Sequence, residues 1–132
     1  QLISKLQARN KKVLIETGGA LPIKNLPKKT HVILDLKCPS SNMVDKNLWG
    51  NINYLKNTDE VKFVIGNRID YEWSKNIVKK YNLDKICSIL ISPVYQKIEP
   101  KNLAKWILKD NLDIRFQMQI HKEIWKDTTR GV

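Results

Sequence analysis

Five short apolar runs rich in β-branched residues, separated by segments of helical periodicity, constrain this chain more than any other feature. They are Lys12-Val13-Leu14-Ile15-Glu16, His31-Val32-Ile33-Leu34-Asp35-Leu36, Val61-Lys62-Phe63-Val64-Ile65, Ile86 to Ile91, and Ile114-Arg115-Phe116-Gln117-Met118. Runs of this length and branching read as buried strands. Between them, Trp73, Ile77, Val78 and Tyr81 form one apolar stripe within Tyr71 to Tyr81, opposite Lys75, Lys79 and Lys80. Leu103, Trp106, Ile107 and Leu108 repeat the pattern after Pro100, a residue suited to a helix start. Asn67 and Asp70 are candidate caps for the earlier helix, and Gln1 to Asn10 forms a further amphipathic segment. Strands alternating with helices imply parallel pairing, so the expected class is α/β, a parallel sheet with helices covering one or both faces.

The 132 residues suit one domain, with about two-thirds of the unfolded surface buried on folding. Charged residues interrupt every apolar run, which excludes a membrane-spanning helix, and the first residues lack the apolar core of a signal peptide. Cys38 and Cys87 stand far apart without a CxxC spacing, so neither a disulfide framework nor a zinc site is expected and a reducing cytoplasm is the default compartment. The net charge of +11 invites a nucleic-acid reading, but the excess is 20 Lys against only 4 Arg, spread along the chain. Arg does most bidentate reading of base edges, and the 16 Ile and 12 Asn fit an AT-biased coding composition, so nucleic-acid binding is not expected. The alternative of a basic module for RNA or an acidic protein partner would show itself by lysines gathered on one face and by salt-dependent affinity.

Three strand ends present polar residues after an apolar run: Glu16-Thr17-Gly18-Gly19, Asp35-Leu36-Lys37 and Ser92-Pro93. In a parallel sheet these ends meet on one rim, the rim at which α/β sheets bind ligands. The carboxylates can accept from ribose hydroxyls or an ammonium, and Lys37 can meet a carboxylate. Gly18-Gly19 lacks the spacing of a dinucleotide fingerprint and reads as a tight turn with positive φ. Lys62 interrupts a strand; either it points into a polar pocket or that strand has one face toward solvent. His121 lies just beyond the last strand, with no nucleophile arranged beside it, so no catalytic residue is assigned. His31 is remote from it, and a metal site made of protein groups alone is not expected.

Taken together, these strings resemble the radical S-adenosylmethionine family and, within it, the 7-carboxy-7-deazaguanine synthases. Glu16-Thr17-Gly18-Gly19 is similar to the family's ETxG turn, and Asp35 to Met43, with Pro39-Ser40-Ser41, resembles its KxPSSxM segment. Asp59 to Ile65 resembles the strand that follows, and Gln119-Ile120-His121-Lys122-Glu123-Ile124-Trp125 with Arg130-Gly131-Val132 resembles the family's ending. The resemblance implies a lyase that cleaves S-adenosylmethionine at a [4Fe–4S] cluster, with Mg2+ as a further cofactor. The resulting 5′-deoxyadenosyl radical acts on 6-carboxy-5,6,7,8-tetrahydropterin, whose ring contraction gives 7-carboxy-7-deazaguanine for queuosine biosynthesis. By matched position it implies S-adenosylmethionine contacts at Glu16, Thr17, Gly18, Asp35, Lys37, Ser92 and Pro93, and substrate contacts at His121 and the terminal carboxylate of Val132. Ser92 departs from the Gln expected before Pro in relatives. The family's cysteine-rich loop has no counterpart in these residues, so residues 1–132 are expected to be a single incomplete domain, the C-terminal portion of a partial (β/α) barrel, inactive alone. A homodimer is expected through the open strand edge at Val13 to Ile15. Another radical enzyme of the superfamily, such as an activase, is a further alternative, which the His121-Lys122 ending disfavours.

Overall fold

The computed structural model describes residues 2–125. Helix α1 (Leu2–Ala8) leads into strand β1 (Leu14–Thr17), and β2 (His31–Leu36), β3 (Glu60–Ile65), β4 (Ser88–Pro93) and β5 (Arg115–Phe116) follow. All five pair in parallel, in the spatial order β1-β2-β3-β4-β5. Short 3-10 turns at Pro39–Ser41, Val44–Lys46 and Trp49–Tyr54 connect β2 to β3. Helices α2 (Arg68–Tyr81) and α3 (Leu83–Ile86) connect β3 to β4, and α4 (Pro100–Lys109) connects β4 to β5. Helix α5 (Ile120–Ile124) follows β5.

The expected α/β architecture is therefore present, and period-two alternation explains its one-sided cover. Leu34, Leu36, Val61, Phe63, Ile65, Ile89 and Ile91 point to one face. There they pack against Tyr71 and Ile77 of α2, Leu83 of α3, Leu103 and Ile107 of α4, and Ile52. Phe63 meets Trp73 edge-on at 6.2 Å, and Trp49 stacks on Tyr81 at 5.3 Å. Arg68 lies over Tyr71 and Trp106, and Asp110 accepts from Tyr71 Oη and Lys75 Nζ, so α2 is fastened to the end of α4 by polar contacts at the edge of the core. Burial together with the Asp110 contact pushes the Tyr71 phenol above its usual range.

Local signals fix the helix ends. The Asn67 side chain accepts from the Asp70 N–H at 2.9 Å and caps α2, while Asn82 ends it in the left-handed region. Asp70 is thus not a cap; it is fully buried and serves the loop after β2, as shown below. The last strand shrinks from the expected Ile114–Met118 to Arg115–Phe116, because it lies at the sheet edge and pairs only with Leu90 and Ile91. The first helix likewise closes at Ala8, where Asn10 turns to positive φ.

Candidate functional site

The opposite sheet face is polar. Parallel register aligns Glu16 with Ile33, Glu60 and Ser88, and aligns Asp35 with Lys62, Leu90 and Arg115, all on this face. Lys62 Nζ reaches across β2 to Glu16 Oε1 at 2.6 Å. Asp35 Oδ2 accepts from Lys37 Nζ at 2.7 Å, and Arg115 reaches over β4 to Glu60 at 2.6 Å. Both readings of Lys62 meet here: its strand has a polar face, and that face carries the ion pairs. The lysine is only 14% exposed in its side chain, so the Glu16 carboxylate offsets a real desolvation cost. Toward the N-terminal ends, His31 Nε2 lies 3.8 Å from Glu60 and is a buried side-chain polar atom with no hydrogen-bond partner among the described residues.

Two loops build the rim above this face. After β1, Thr17 Oγ1 accepts from the Gly19 N–H, and Gly19 takes φ +69°, a turn open to Gly at little cost. A Cβ on Gly18 would stand 3.2 Å from Lys37 Cε, so the lysine stem lies directly over this turn. The fully buried Asn51 donates to the carbonyls of Gly19 and Leu21 and accepts from Ile23 N–H, which staples the first loop to the second. After β2, Asn47 Oδ1 accepts from Lys37 N–H at 2.9 Å and its Nδ2 donates to the Lys37 carbonyl at 3.0 Å. The Pro39–Ser41 turn is held by Asp70, which accepts from Ser40 N–H, Ser40 Oγ and Gly66 N–H. A Cβ on Gly66 would come within 2.8 Å of Ser40 Oγ, so this close approach requires Gly.

A cleft of about 320 Å³ opens at the ends of β2 and β3, lined by Asp35, Lys37, Ser40, Ser41, Val64 and Lys97 among others. Val94 and Lys97 also line a second cleft of about 300 Å³, which carries Tyr95, Gln96, Glu99, Met118, Gln119 and Glu123. The rim therefore offers a charged compartment beside an apolar and amide-lined one of similar size, with Val94 and Lys97 lining both, the form of a site for a polar small molecule.

No family model matches the chain. The 7-carboxy-7-deazaguanine synthase of Chlorobaculum tepidum is 39% identical over 99% of this chain and 61% of its own length. That of Koribacter versatilis is 37% identical over 98% and 63%, and that of Clostridium acetobutylicum 36% identical over 92% and 57%. Over nearly all of its residues the chain is similar to the 7-carboxy-7-deazaguanine synthases. It spans about 60% of the length of these curated relatives.

The residues matched to 7-carboxy-7-deazaguanine synthases fall into three groups. Glu16, Asp35 and Lys37 share the polar face, and Gly18 packs on the Lys37 stem. Ser92 shares that face too, but it is buried and its Oγ donates to the Gln117 carbonyl at 2.7 Å. Thr17 and Pro93 point to the helix-covered face, aligned with Leu34 and Ile65; Thr17 shapes the turn, and Pro93 lines the second cleft. His121 sits exposed on α5, between Gln119 and Glu123 of the second cleft, and does not itself line either cleft. Val132 lies outside the described residues. Asn47, Asn51, Asp70, Glu60 and Arg115 were not foreseen; an Asn or Asp following a Pro-Ser-Ser turn is the one local hint, since such side chains satisfy loop backbone.

The donor set does not fit an iron–sulfur cluster or a Mg2+ ion. Among the described residues no group of three His, Cys, Asp or Glu side chains could hold a metal ion. Cys38 follows the end of β2 whereas Cys87 precedes β4, at opposite ends of the sheet. Burial pushes the Cys38 thiol up to about 12 and the Cys87 thiol up to about 11. Neither is a ready thiolate ligand.

Proposed function

We propose that this chain is the C-terminal portion of a radical S-adenosylmethionine barrel and supplies the nucleoside- and pterin-facing rim of a 7-carboxy-7-deazaguanine synthase. The supporting observation is the convergence of Glu16, Asp35 and Lys37 on one sheet face, with Lys37 packed over the Gly18 turn. The rim carries both signs of charge, which suits the zwitterionic amino-acid end of S-adenosylmethionine. Lys37 would meet its carboxylate while Asp35 would accept from its ammonium, and the Ser40 and Ser41 hydroxyls add neutral donors beside them. The adjoining cleft, with Glu99, Gln96, Gln119 and Glu123, offers acceptors for the amino and ring N–H groups of a pterin. In these synthases the cluster would supply the electron for reductive cleavage, with Mg2+ as a redox-inert further cofactor; the groups that hold them would lie in the part of the relatives this chain does not span. The chain alone would then be inactive, a cytoplasmic incomplete domain that pairs with further chain at the β1 edge or with a second copy. No helix is long and apolar enough to cross a membrane among the described residues.

The test is anaerobic reconstitution of the full-length protein with iron and sulfide. 5′-Deoxyadenosine and 7-carboxy-7-deazaguanine are the expected products from S-adenosylmethionine and 6-carboxy-5,6,7,8-tetrahydropterin. Cleavage of S-adenosylmethionine by residues 1–132 alone would overturn the reading, as would a full-length protein that processes neither compound.

A further inference from the structure

We propose that Asn47 is a positioning residue that aims Lys37 at the ligand. The inference rests on the S-adenosylmethionine reading of the rim and assigns a role to a side chain that lines neither cleft. Lys37 is the first residue beyond β2, where pairing to β1 has ended at Leu34 and pairing to β3 has ended at Leu36. Its backbone N–H and carbonyl therefore lack a neighbouring strand. Asn47 replaces that strand: one side-chain amide binds both groups of Lys37, at 2.9 Å and 3.0 Å. Asn47 is itself 5% exposed, and its own N–H donates to the Val44 carbonyl. The clamp thus cannot easily be exchanged for water.

The direction of a side chain follows from its backbone torsions. With the main chain fixed, the Lys37 stem runs over Gly18 and its ammonium stands 2.7 Å from Asp35. Without the clamp, the first residue past a strand end samples many backbone states, and each ligand contact by the ammonium must then bear that ordering entropy. Asn47 therefore acts on affinity only through Lys37. The other buried amide, Asn51, touches Gly19, Leu21 and Ile23 but not Lys37.

The experiment compares Asn47→Ala with Ile77→Val in the full-length protein. Ile77 lies on the helix-covered face, so its shortening loosens the core without approaching the rim. The probe is S-adenosylhomocysteine, measured by calorimetry well below the melting transition, together with hydrogen exchange at the Lys37 amide. N47A should bind about tenfold more weakly, the scale expected for losing an orienting hydrogen-bonded contact to a charged group. Its Lys37 amide should exchange faster, whereas I77V should keep wild-type affinity and Lys37 protection. Unchanged affinity in N47A, or an equal loss in I77V, overturns the positioning role while leaving the site reading intact. A wild-type protein that does not bind the probe overturns both.

Discussion

Asp70 offers the sharpest test of how the rim is held. It is fully buried, no basic side chain pairs with it among the described residues, and three donors converge on its carboxylate. Its place in the first turn of α2 adds the favourable end of the helix dipole. In Asp70→Ala the N–H groups of Ser40 and Gly66 lose their acceptor inside the fold, while the Ser40 hydroxyl can turn elsewhere. Two stranded donors at about 1–3 kcal/mol each, less the relief of no longer desolvating a carboxylate, give a net loss of roughly 2–4 kcal/mol. At roughly 4 °C per kcal/mol for a domain of this size, the melting midpoint should fall by about 8–16 °C. Thermal and urea unfolding followed by circular dichroism measure this directly. Asp45→Ala serves as the control, because Asp45 is exposed and, among the described residues, paired only with Lys46. A D70A loss below about 1 kcal/mol, or one equal to that of D45A, would refute the view that this carboxylate organises the Pro39–Ser41 turn.

Two further outcomes follow. Gly19→Ala should cost about 2–3 kcal/mol, since the residue sits at φ +69° and a Cβ would lie 2.6 Å from Leu34 Cδ1, whereas Gly50→Ala meets nothing and should be neutral or slightly stabilising by chemical denaturation. Cys38 and Cys87, with thiols pushed up from 9.0 to about 12 and about 11, should react slowly with a disulfide reagent in the native protein and fast in urea. The folded state keeps these protons while the unfolded chain releases them, so stability should fall as pH rises from about 9 toward 12; a native protein that gains stability there, or labels at the denatured rate, would contradict the burial.

Much of the fold was legible because it is written in local periodicity. His31–Leu36 appears with the expected bounds, Asn67 caps its helix, and α4 begins at Pro100. The polar face was half legible: Glu16, Asp35 and Lys62 stand out as charges inside apolar runs, but only the register shows that Glu16 and Lys62 meet across the intervening strand. Glu60 with Arg115, Asp70 with Ser40 and Asn47 with Lys37 were not legible at all. These are contacts between side chains and distant partners, and they leave no repeat in the sequence. Asp70 was even misread, because an acidic residue in a first helical turn has the same signature whether it caps its own helix or reaches back to another loop. His121 lies beyond a strand that is shorter than expected, and on α5 it is exposed to solvent while its neighbours Gln119 and Glu123 line the second cleft.

The sheet's spatial order repeats its chain order, and that has a bearing on how the molecule comes together. Each strand finds its predecessor already in place as a template, so assembly during synthesis can proceed by accretion from the amino end, with no pairing that waits on a remote partner. Damage should spread with the same directionality: loosening β5 strips one margin of the sheet, while β1 to β3 retain every ladder they share.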